Sequence, residues 1–435
     1  MFKRLFSLIL IILVISACSG SGGNNNEEST EGNDGSTQLR ITAISGEVTE
    51  NLRNHANSFM EDNPEIEIEI VEYPEQQYKD QARSLFTSSQ KPDLAWFWAE
   101  DNYFQMAEAG VFESLDELYE ENGWNESLPE STINLFTSSD DSKYAVNTDV
   151  VWTPILYYNK GIFEELGIEP PSTFGDLYEI AGQLKEAGYI PLSAGAGEGY
   201  VTGHMYNMLL SRLVSPEEYD RMLTVGTEPD SIDFNDSKVT AVWSEMEKMR
   251  DQLFPDGIAG ITDNDARSLF ILEQAAMYSQ GSWAAGDANL GSELPDDFEL
   301  DYVFFPQIQE DIQPTAGLGV GNSLMILKGT ENKQAAEEFI THVMSVESQK
   351  ETAKTVGFFP SRNDVDIQDI EGINDMLADQ YQEMKKIGSH SLFSDVLPAQ
   401  LQSKLFEVNQ AILSNTTDPE AAGEQMEAVK ETIGE

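Results

Sequence analysis

The stretch over residues 143–163, KYAVNTDVVWTPILYYNKGIF, constrains the fold more than any other part of the chain. It begins as an extended run of mainly β-branched residues, over 146–155, and continues through Tyr-Tyr-Asn-Lys-Gly into an amphipathic helix. We interpret it as a strand along which the chain leaves one α/β lobe and enters a second. Trp152 and Tyr158 lie near this crossing, where they either face a cleft between the lobes or form the aromatic core of a buried strand.

Before the crossing, hydrophobic patterns typical of strands and of helices alternate along the chain. Strands are predicted over residues 39–44, 66–70 and 94–98, and glutamates form the outer face of the second. Helices are predicted from about residue 49 to the Asn-Pro pair at 63–64, and over residues 76–88. This order of strands and helices predicts a parallel α/β arrangement.

After the crossing, the patterns predict a mainly helical region that a few strands interrupt. The helices are predicted over residues 175–187, 203–213, 216–223, 237–252, 264–273 and 333–346. The strands are predicted over residues 275–279, 302–306 and 317–327, and a glycine-rich loop over 195–203. We expect the strand at 302–306 to return the chain to the first lobe.

The length of 435 residues exceeds what one ordinary core supports and favours two domains. The first α/β lobe is predicted over residues 38–151 plus 305–350. The second is predicted over residues 152–304 plus 351–435. The fold class is therefore α/β and two-lobed, with a hinge and a cleft between the lobes.

The N-terminus has the pattern of a bacterial export signal. A basic start at Lys3 and Arg4 precedes an apolar run over residues 5–15, which is too short to span a bilayer as a mature helix. The run ends in Ile-Ser-Ala-Cys18, which resembles the lipobox of lipoproteins and predicts cleavage after residue 17 and acylation of Cys18. The alternative is a plain signal anchor with a chance cysteine. Residues 18–37, rich in Gly, Asn, Ser and Glu, are predicted to form a flexible tether.

The charge is extreme: 77 acidic residues against 25 basic ones give a formal net charge of −52. Such a surface repels nucleic acid, so no DNA or RNA partner is expected. It suits a protein kept soluble in salty surroundings, where screening weakens self-repulsion, and a saline habitat is therefore a hypothesis. Since Cys18 is the single cysteine, no disulfide is expected in the folded body.

Signals for catalysis, cofactors or metals are weak, and none of the three is predicted. The four histidines show no metal-binding spacing, and no G-x-S-x-G motif occurs. The glycine-rich stretch over 317–321 opens a strand and so lacks the helix N-terminus that a phosphate cradle needs. The acidic groups at 263–265 and 364–366 are interpreted as solvated surface rather than as calcium ligands.

Aromatic and acidic side chains near strand ends are more informative. Sugars present C–H faces that stack on indole and phenol rings, and hydroxyls that need polar partners. Trp96 and Trp98 lie toward the C-terminal end of the strand at 94–98, and the residues 100–102 follow it, at the edge of the sheet where ligands of open α/β folds bind. Trp283 lies just past another strand, and Tyr200 in the loop at 195–203. The competing interpretation is that each ring is ordinary core.

Beyond residue 39 the chain resembles the family 1 extracellular solute-binding proteins of ABC importers, the group that includes maltose-binding protein. The stretches that carry the resemblance span most of the chain in the family's order: Pro-Asp-Leu at 92–94, Trp-Ala-Glu-Asp at 98–101, Ala-Glu-Ala-Gly at 107–110, Tyr-Tyr-Asn-Lys at 157–160, Ala-Ala-Met-Tyr at 275–278, Gly-Ser-Trp at 281–283 and Ala-Ala-Glu-Glu-Phe at 335–339. The resemblance implies a periplasmic-binding-protein-like fold that binds a sugar in the cleft between its lobes.

The resemblance also implies which side chains contact the sugar. The ligand-binding residues it suggests are Glu47, Trp98, Asp101, Asn102, Trp152, Glu198, Tyr200 and Trp283. Asn102 falls where the family's maltose binder has an arginine, and Trp152 where it has a glutamate. These two departures put maltose itself in doubt.

The expected function is capture of a mono- or oligosaccharide by a monomer, lipid-anchored on the outer face of the membrane, that delivers it to an ABC permease. Two alternatives remain open at this point. A secreted glycoside hydrolase would also combine aromatic rings with carboxylates, although no spacing selects a catalytic pair. A binding protein for a non-sugar solute such as a polyamine would use carboxylates around a cation.

Overall fold

The structure is a computed structural model that describes residues 37–98, 101–138, 140–225, 228–286, 289–295, 297–319 and 322–433. The predicted signal peptide, Cys18 and the tether up to residue 36 lie outside the described residues. So do the side chains of Asp101 and Asn102, although their backbone begins a helix. Within the described part of the chain, no helix combines the length and the apolar character that crossing a membrane requires.

The described residues form strands and helices of mixed α/β type. The strands are β1 (Thr37–Ile44), β2 (Ile66–Tyr73), β3 (Leu94–Phe97), β4 (Val146–Asn147), β5 (Asp149–Thr153), β6 (Ile155–Asn159), β7 (Ile190–Ser193), β8 (Ala275–Gln280), β9 (Leu300–Phe304), β10 (Ala316–Gly319), β11 (Ser323–Ile326), β12 (Phe359–Pro360) and β13 (Ser389–Ser391). The helices are α1 (Glu47–Asp62), α2 (Glu75–Thr87), α3 (Asp101–Glu108), α4 (Asp116–Glu121), α5 (Trp124–Ser127), α6 (Glu130–Leu135), α7 (Lys160–Leu166), α8 (Phe174–Ala187), α9 (Gly199–Leu213), α10 (Pro216–Met222), α11 (Ser237–Gln252), α12 (Asp263–Ile271), α13 (Leu290–Glu293), α14 (Lys333–Val343), α15 (Val346–Thr355), α16 (Asp375–Ile387), α17 (Phe393–Val396), α18 (Ala399–Leu413) and α19 (Pro419–Ile433).

The first lobe is the part of the chain whose side chains share one hydrophobic core, drawn from residues 39–146 and 324–358. Its sheet has the order β2-β1-β3-β11-β4, in which β1 runs parallel to β2 and β3, and β11 antiparallel to β3 and β4. Alternation in β1 buries Leu39, Ile41 and Ala43 completely. Helix α1 covers this sheet together with α14, and Phe59 meets Phe339 edge to face at 5.5 Å.

The second lobe is the part that shares another hydrophobic core, drawn from residues 156–305 and 393–426. Its sheet has the order β7-β8-β6-β9, and β9 lies antiparallel to β6. The expectation that the strand at 302–306 returns the chain to the first lobe is therefore wrong. That return is made by β11, whose side chains enter the first core between β3 and β4.

The run predicted as the crossing strand divides into three strands that belong to three different sheets. Strand β4 closes the first-lobe sheet, and β6 is central in the second-lobe sheet. Between them, β5 belongs to a third sheet of order β12-β5-β10-β13, where it is antiparallel to β12 and β10. The chain thus passes from one lobe to the other along residues 146–159, as the sequence predicted.

Local sequence determines where helix α8 begins and ends. Thr173 begins α8 with a reciprocal capping box, because its hydroxyl accepts from the Asp176 amide while the Asp176 carboxylate accepts from the Thr173 amide. Gly188 ends the helix in the left-handed conformation, at φ 95°, that other residues rarely adopt. The helix therefore spans one residue more than the predicted 175–187.

Candidate functional site

An inner cavity of about 230 Å³ lies between the two lobes. The first lobe, the second lobe and the crossing strands all contribute to its walls. Its described lining residues are Ile44, Ser45, Glu47, Val48, Glu75, Lys79, Trp96, Trp98, Val151, Tyr200, His204, Trp283, Gly319, Asn322, Phe358, Leu392, Ser394, Asp395, Gln402 and Phe406.

An outer cavity of about 720 Å³ adjoins the inner one. The two share six lining residues: Ser45, Glu75, Lys79, Tyr200, Gln402 and Phe406. The outer cavity adds acidic side chains, including Asp80 and Glu198, to this common wall. We call the two cavities together the cleft; it is of the size in which proteins bind small molecules.

Trp98 forms part of the first-lobe wall at the end of β3. Its ring meets Trp96 edge to face at 4.7 Å, while its partly exposed surface lines the inner cavity. The Lys79 ammonium lies 4.4 Å from the centre of the Trp98 ring, which is a cation–π contact. Lys79 also forms an ion pair with Glu75 at 3.2 Å, one helical turn away on α2.

Trp283 enters the cleft from the other side, in the turn that follows β8. Although the chain comes there from the second-lobe sheet, the indole packs against the first-lobe core. The ring lies over Gly281 so closely that a Cβ at that position would be 1.8 Å from a ring carbon. Any side chain larger than hydrogen at 281 would therefore displace the indole.

Tyr200 and His204 lie one turn apart on α9 and face the inner cavity together, with ring centres 5.4 Å apart. The sequence placed Tyr200 in a loop over 195–203, but α9 begins at Gly199. Burial lowers the pKa of His204 to about 3, and the nearby positive charge of Lys79 adds to the effect. The imidazole is therefore neutral, and its Nδ1 pairs with the Thr153 hydroxyl at 3.0 Å.

Phe406 on α18 supplies an aromatic surface that the sequence reasoning missed. It packs against α9 where Gly199 and Gly203 leave room, since a Cβ at these positions would be 2.9 Å and 2.5 Å from the Phe406 ring. The glycines at i and i+4 that suggested a loop instead form a groove on one face of a helix. Gln402, one turn before Phe406, also lines the cleft.

Glu47 lies in the first turn of α1, where the positive end of the helix dipole favours a carboxylate. It lines the inner cavity, and its Oε1 accepts a hydrogen bond of 2.8 Å from Asn289 Nδ2, beyond the second-lobe strand β8. Asn289 is 1% exposed, and its Oδ1 accepts a bond of 3.0 Å from Arg267. Glu47 therefore links the lobes across the cleft.

Glu198 lines the outer cavity and caps the neighbouring helix α12, because its Oε1 accepts from the Asp263 amide at 3.0 Å. Asp263 itself is half-buried, and Tyr278 and Gln280 both donate to its Oδ1. Burial raises the pKa of Asp263 to about 6, and the charges of Glu198 and Glu47 add to this shift. Solvated surface is thus the wrong interpretation of Asp263, although Asp265 is exposed.

Trp152 does not face the cleft. Its indole is buried in a third hydrophobic cluster, 4.2 Å from the ring centre of Phe359 and 5.7 Å from that of Tyr381. Because side chains alternate along β5, the cavity is lined by its neighbour Val151 instead. Tyr158 is likewise core, packed in the second lobe with its hydroxyl donating to Asp301.

The predicted site residues Glu47, Trp98, Tyr200 and Trp283 are thus brought together around the inner cavity, and Glu198 lies beside them in the outer one. Asp101 and Asn102 stay untested, since their side chains are outside the described residues. Among the residues that the structure describes, no three His, Cys, Asp or Glu side chains group as metal ligands would. A helical reading of 199–213 would have added His204, because it follows Tyr200 by four residues.

Asp149 is a buried carboxyl at the start of β5, where the chain crosses between the lobes. It accepts hydrogen bonds of 2.5 Å from Asn322 Nδ2 and 2.9 Å from the Thr148 hydroxyl. Burial raises its pKa to about 7, more than these two bonds lower it. Asn322 also lines the inner cavity, so the carboxyl supports a wall of the cleft from behind.

The family profile described as bacterial extracellular solute-binding protein matches residues 43–350. The chain belongs to this family. The match begins in the first strand and extends beyond the return of the chain to the first lobe, so it includes the crossing strands and most of the residues that line the inner cavity.

Two proteins similar in sequence to this solute-binding protein have names that refer to sugars. A probable sugar-binding periplasmic protein of Mesorhizobium japonicum is 24% identical over 262 residues, which are 60% of this chain and 60% of that one. A multiple sugar-binding protein of Streptococcus mutans is 23% identical over 317 residues, 70% of each chain. The alignments to the first of the curated relatives thus span about 60% of their length.

A solved structure of a chitin oligosaccharide binding protein has the same fold as this solute-binding protein. The TM-score is 0.78 at 20% sequence identity, over 91% of this chain and 98% of the other. The likeness at this identity establishes the two-lobed architecture of the described chain.

Proposed function

We propose that this chain is an extracellular carbohydrate-binding protein that captures a mono- or oligosaccharide in the cleft and delivers it to the permease of an ABC importer. One observation carries the proposal. Trp98 and Trp283, which pack against the first-lobe core, line the same cavity as Tyr200 and Phe406 of the second-lobe helices α9 and α18. Such rings offer stacking faces from both sides, which is the arrangement that the C–H faces of a sugar ring require.

The polar side chains among these rings complete the proposed site. Glu47, Glu198 and Gln402 would accept hydrogen bonds from sugar hydroxyls, and neutral His204 has a ring nitrogen left to pair with another. Asp101 and Asn102 stay in the proposal on the strength of the sequence resemblance alone. The two sugar-named relatives support the same ligand class.

We propose that the lobes close on the sugar by bending at the crossing strands β4, β5 and β6. The sugar would favour the closed state because only that state lets both walls contact it. The separate first-lobe and second-lobe cores support this hinge, with the second core extending to Phe305 and the first reaching Phe358. The lobe boundaries predicted from the sequence belong to the proposal with these two shifts.

Attachment to the membrane through acylated Cys18, a monomeric state and the absence of hydrolytic activity complete the proposal. The short apolar run before Cys18 supports the first. The absence of hydrolytic activity is tested by incubating the chain with any oligosaccharide that it binds and analysing the products. Cleavage of the oligosaccharide would contradict this part of the proposal.

A thermal-shift screen across mono- and oligosaccharides tests the proposal, because a ligand that binds only the native state raises the melting temperature. We expect at least one sugar to raise it in proportion to the logarithm of its concentration. The Trp283→Ala variant should lose this shift while it keeps a cooperative transition. A polyamine that stabilises the chain while every sugar fails would overturn the proposal.

A further inference from the structure

The cleft carries charges mainly of one sign. Its described lining residues include five carboxylates, which are Glu47, Glu75, Asp80, Glu198 and Asp395. Against them stands one ammonium in the same described lining, that of Lys79, while His204 is neutral. A cleft lined by one sign of charge focuses the electric field that a ligand meets on entry.

The ammonium of Lys79 is already engaged by groups of the protein. It pairs with Glu75 at 3.2 Å and lies 4.4 Å from the centre of the Trp98 ring. With a carboxylate on one side and the negative face of an indole on another, its charge is largely balanced before any ligand arrives. An anionic ligand that approached Lys79 would therefore also be repelled by the Glu75 carboxylate.

Two groups at the cleft have pKa values that burial raises first and that neighbouring carboxylates raise further. The pKa of Asp263 is raised first by burial and then by the charges of Glu198 and Glu47. The pKa of the Tyr200 hydroxyl is raised well above its ordinary value by burial, with Asp263, Glu198 and Glu75 contributing. Both groups hold their protons more tightly because a further negative charge there is disfavoured.

Resting on the proposed function, we propose that the cleft selects sugars without carboxylate or phosphate groups. Neutral sugars bind, amino sugars are accepted, and uronic acids and phosphorylated sugars are excluded. Aromatic stacking does not separate these classes, because all of them present the same C–H faces. The carboxylates that line the cleft provide the discrimination, since like charges brought together without a bridging cation repel.

Quenching of tryptophan fluorescence measures this potential without a ligand. Of the six tryptophans, Trp96, Trp124, Trp152 and Trp243 are buried, whereas Trp98 and Trp283 are partly exposed and line the inner cavity. We expect iodide to quench at most about half as efficiently as caesium, each relative to its action on N-acetyltryptophanamide at equal ionic strength. Equal or stronger relative quenching by iodide would overturn the proposal.

A pair of variants separates the field of the cleft from the net charge of the whole chain. Glu75→Gln with Glu198→Gln removes two cleft charges and keeps an acceptor oxygen at each position. Glu61→Gln with Glu120→Gln removes two charges from exposed residues outside the cleft lining. Iodide quenching should rise in the first pair and stay unchanged in the second. An equal rise in both would assign the effect to net charge and reject the proposal.

Calorimetry with matched ligands tests the selectivity itself. The probes are glucose, glucosamine, glucuronate and glucose 6-phosphate, with the corresponding galactose series and any sugar found by the thermal screen. For each sugar that binds, we expect its carboxylate or phosphate counterpart to bind at least about tenfold more weakly. An acid that binds as tightly as its neutral parent would overturn the selectivity. Failure of every sugar would instead count against the proposed function, and the quenching comparison would still decide the charge of the cleft.

Discussion

Trp283 owes its position to a residue without a side chain. The indole lies over Gly281 at a distance that leaves no space for a Cβ, and this turn directs the ring from the second-lobe strand β8 to the wall of the first lobe. A ring held in this way loses little conformational freedom when a sugar stacks on it. Trp283 is therefore the residue at which the binding proposal is tested most directly.

Replacing Trp283 by alanine should weaken sugar binding by about 1–3 kcal/mol, which is the cost of losing an aromatic anchor. Isothermal titration with a sugar from the thermal screen measures the loss. Trp283→Phe is the matched control, since it keeps a stacking surface and should retain part of the affinity. Unchanged affinity in Trp283→Ala would remove this residue from the site.

Replacing Gly281 by alanine should displace the Trp283 ring and lower the free energy of unfolding by about 1–3 kcal/mol, as overpacking does. Urea denaturation measures the loss of stability, and the same variant should bind sugar more weakly. Gly182→Ala is the control, because a Cβ at that helical position meets no atom within 4 Å. If both variants were equally stable, the close contact between Gly281 and the ring would be refuted.

At the scale of elements, a chain of side-chain hydrogen bonds links the two sides of the cleft. Glu47 at the start of α1 accepts from Asn289, which Arg267 of α12 holds in turn. Since Asn289 is almost completely buried, opening the lobes would break this bond and expose both partners to water. The chain of three side chains therefore favours the arrangement in which the two sides are held together, which is the closed state of the proposal.

Asn289→Ala should destabilise the closed state by about 1–2 kcal/mol, between the usual worth of a neutral hydrogen bond and that of one to a charged group. We expect sugar to dissociate about 5–30 times faster, which stopped-flow fluorescence measures. Small-angle scattering of the ligand-free protein should show a larger radius of gyration. Glu47→Gln keeps the acceptor oxygen and should change both quantities less. The assignment fails if Asn289→Ala alters neither one.

Asp149 at the crossing should make stability depend on pH in the direction opposite to most carboxyls. Because its folded pKa is raised from 3.8 to about 7, the native state binds a proton that the unfolded state has lost between these values. The free energy of unfolding should therefore fall as pH rises from about 4 to about 7, by at most about 1.4 kcal/mol per pH unit from this group.

The difference between wild-type and Asp149→Asn isolates this effect from other carboxyls, including Asp263. Urea denaturation at several pH values should show that wild-type loses stability relative to the variant as pH rises through this window. The difference should level off above about pH 7, where Asp149 is ionised in both states. A difference that does not vary with pH would show that burial at the crossing leaves Asp149 unshifted.

At the scale of the whole molecule, the charge of −52 opposes the compact state through self-repulsion. Raising the salt from about 0.01 M to about 0.15 M shortens the Debye length from about 30 Å to about 8 Å. We expect the melting temperature to rise over this range, and scanning calorimetry at a series of sodium chloride concentrations measures it. Sucrose at equal osmolality is a control without screening. Stability that falls steeply as salt is added would reject the saline-habitat hypothesis.

Periodic segments were predicted well because hydrophobic spacing alone defines them. The helix predicted over 237–252 matches α11, and the strands of the first lobe lie within a few residues of their predicted bounds. The start of α9 was missed because its glycines were interpreted as a loop, whereas Phe406, some 200 residues further along the chain, requires them. Composition carries no information about such a distant partner.

The amino-acid sequence by itself determined the α/β class, the crossing between lobes and the presence of tryptophans at strand ends, because these follow from local periodicity and residue type. Only the tertiary structure decided which rings face the cleft. Alternation along β5 allowed either Val151 or Trp152 to do so, and the packing of Trp152 against Phe359 settled the choice. Pairing of strands and of side chains far apart in sequence depends on the whole fold, so a local pattern constrains it without specifying it.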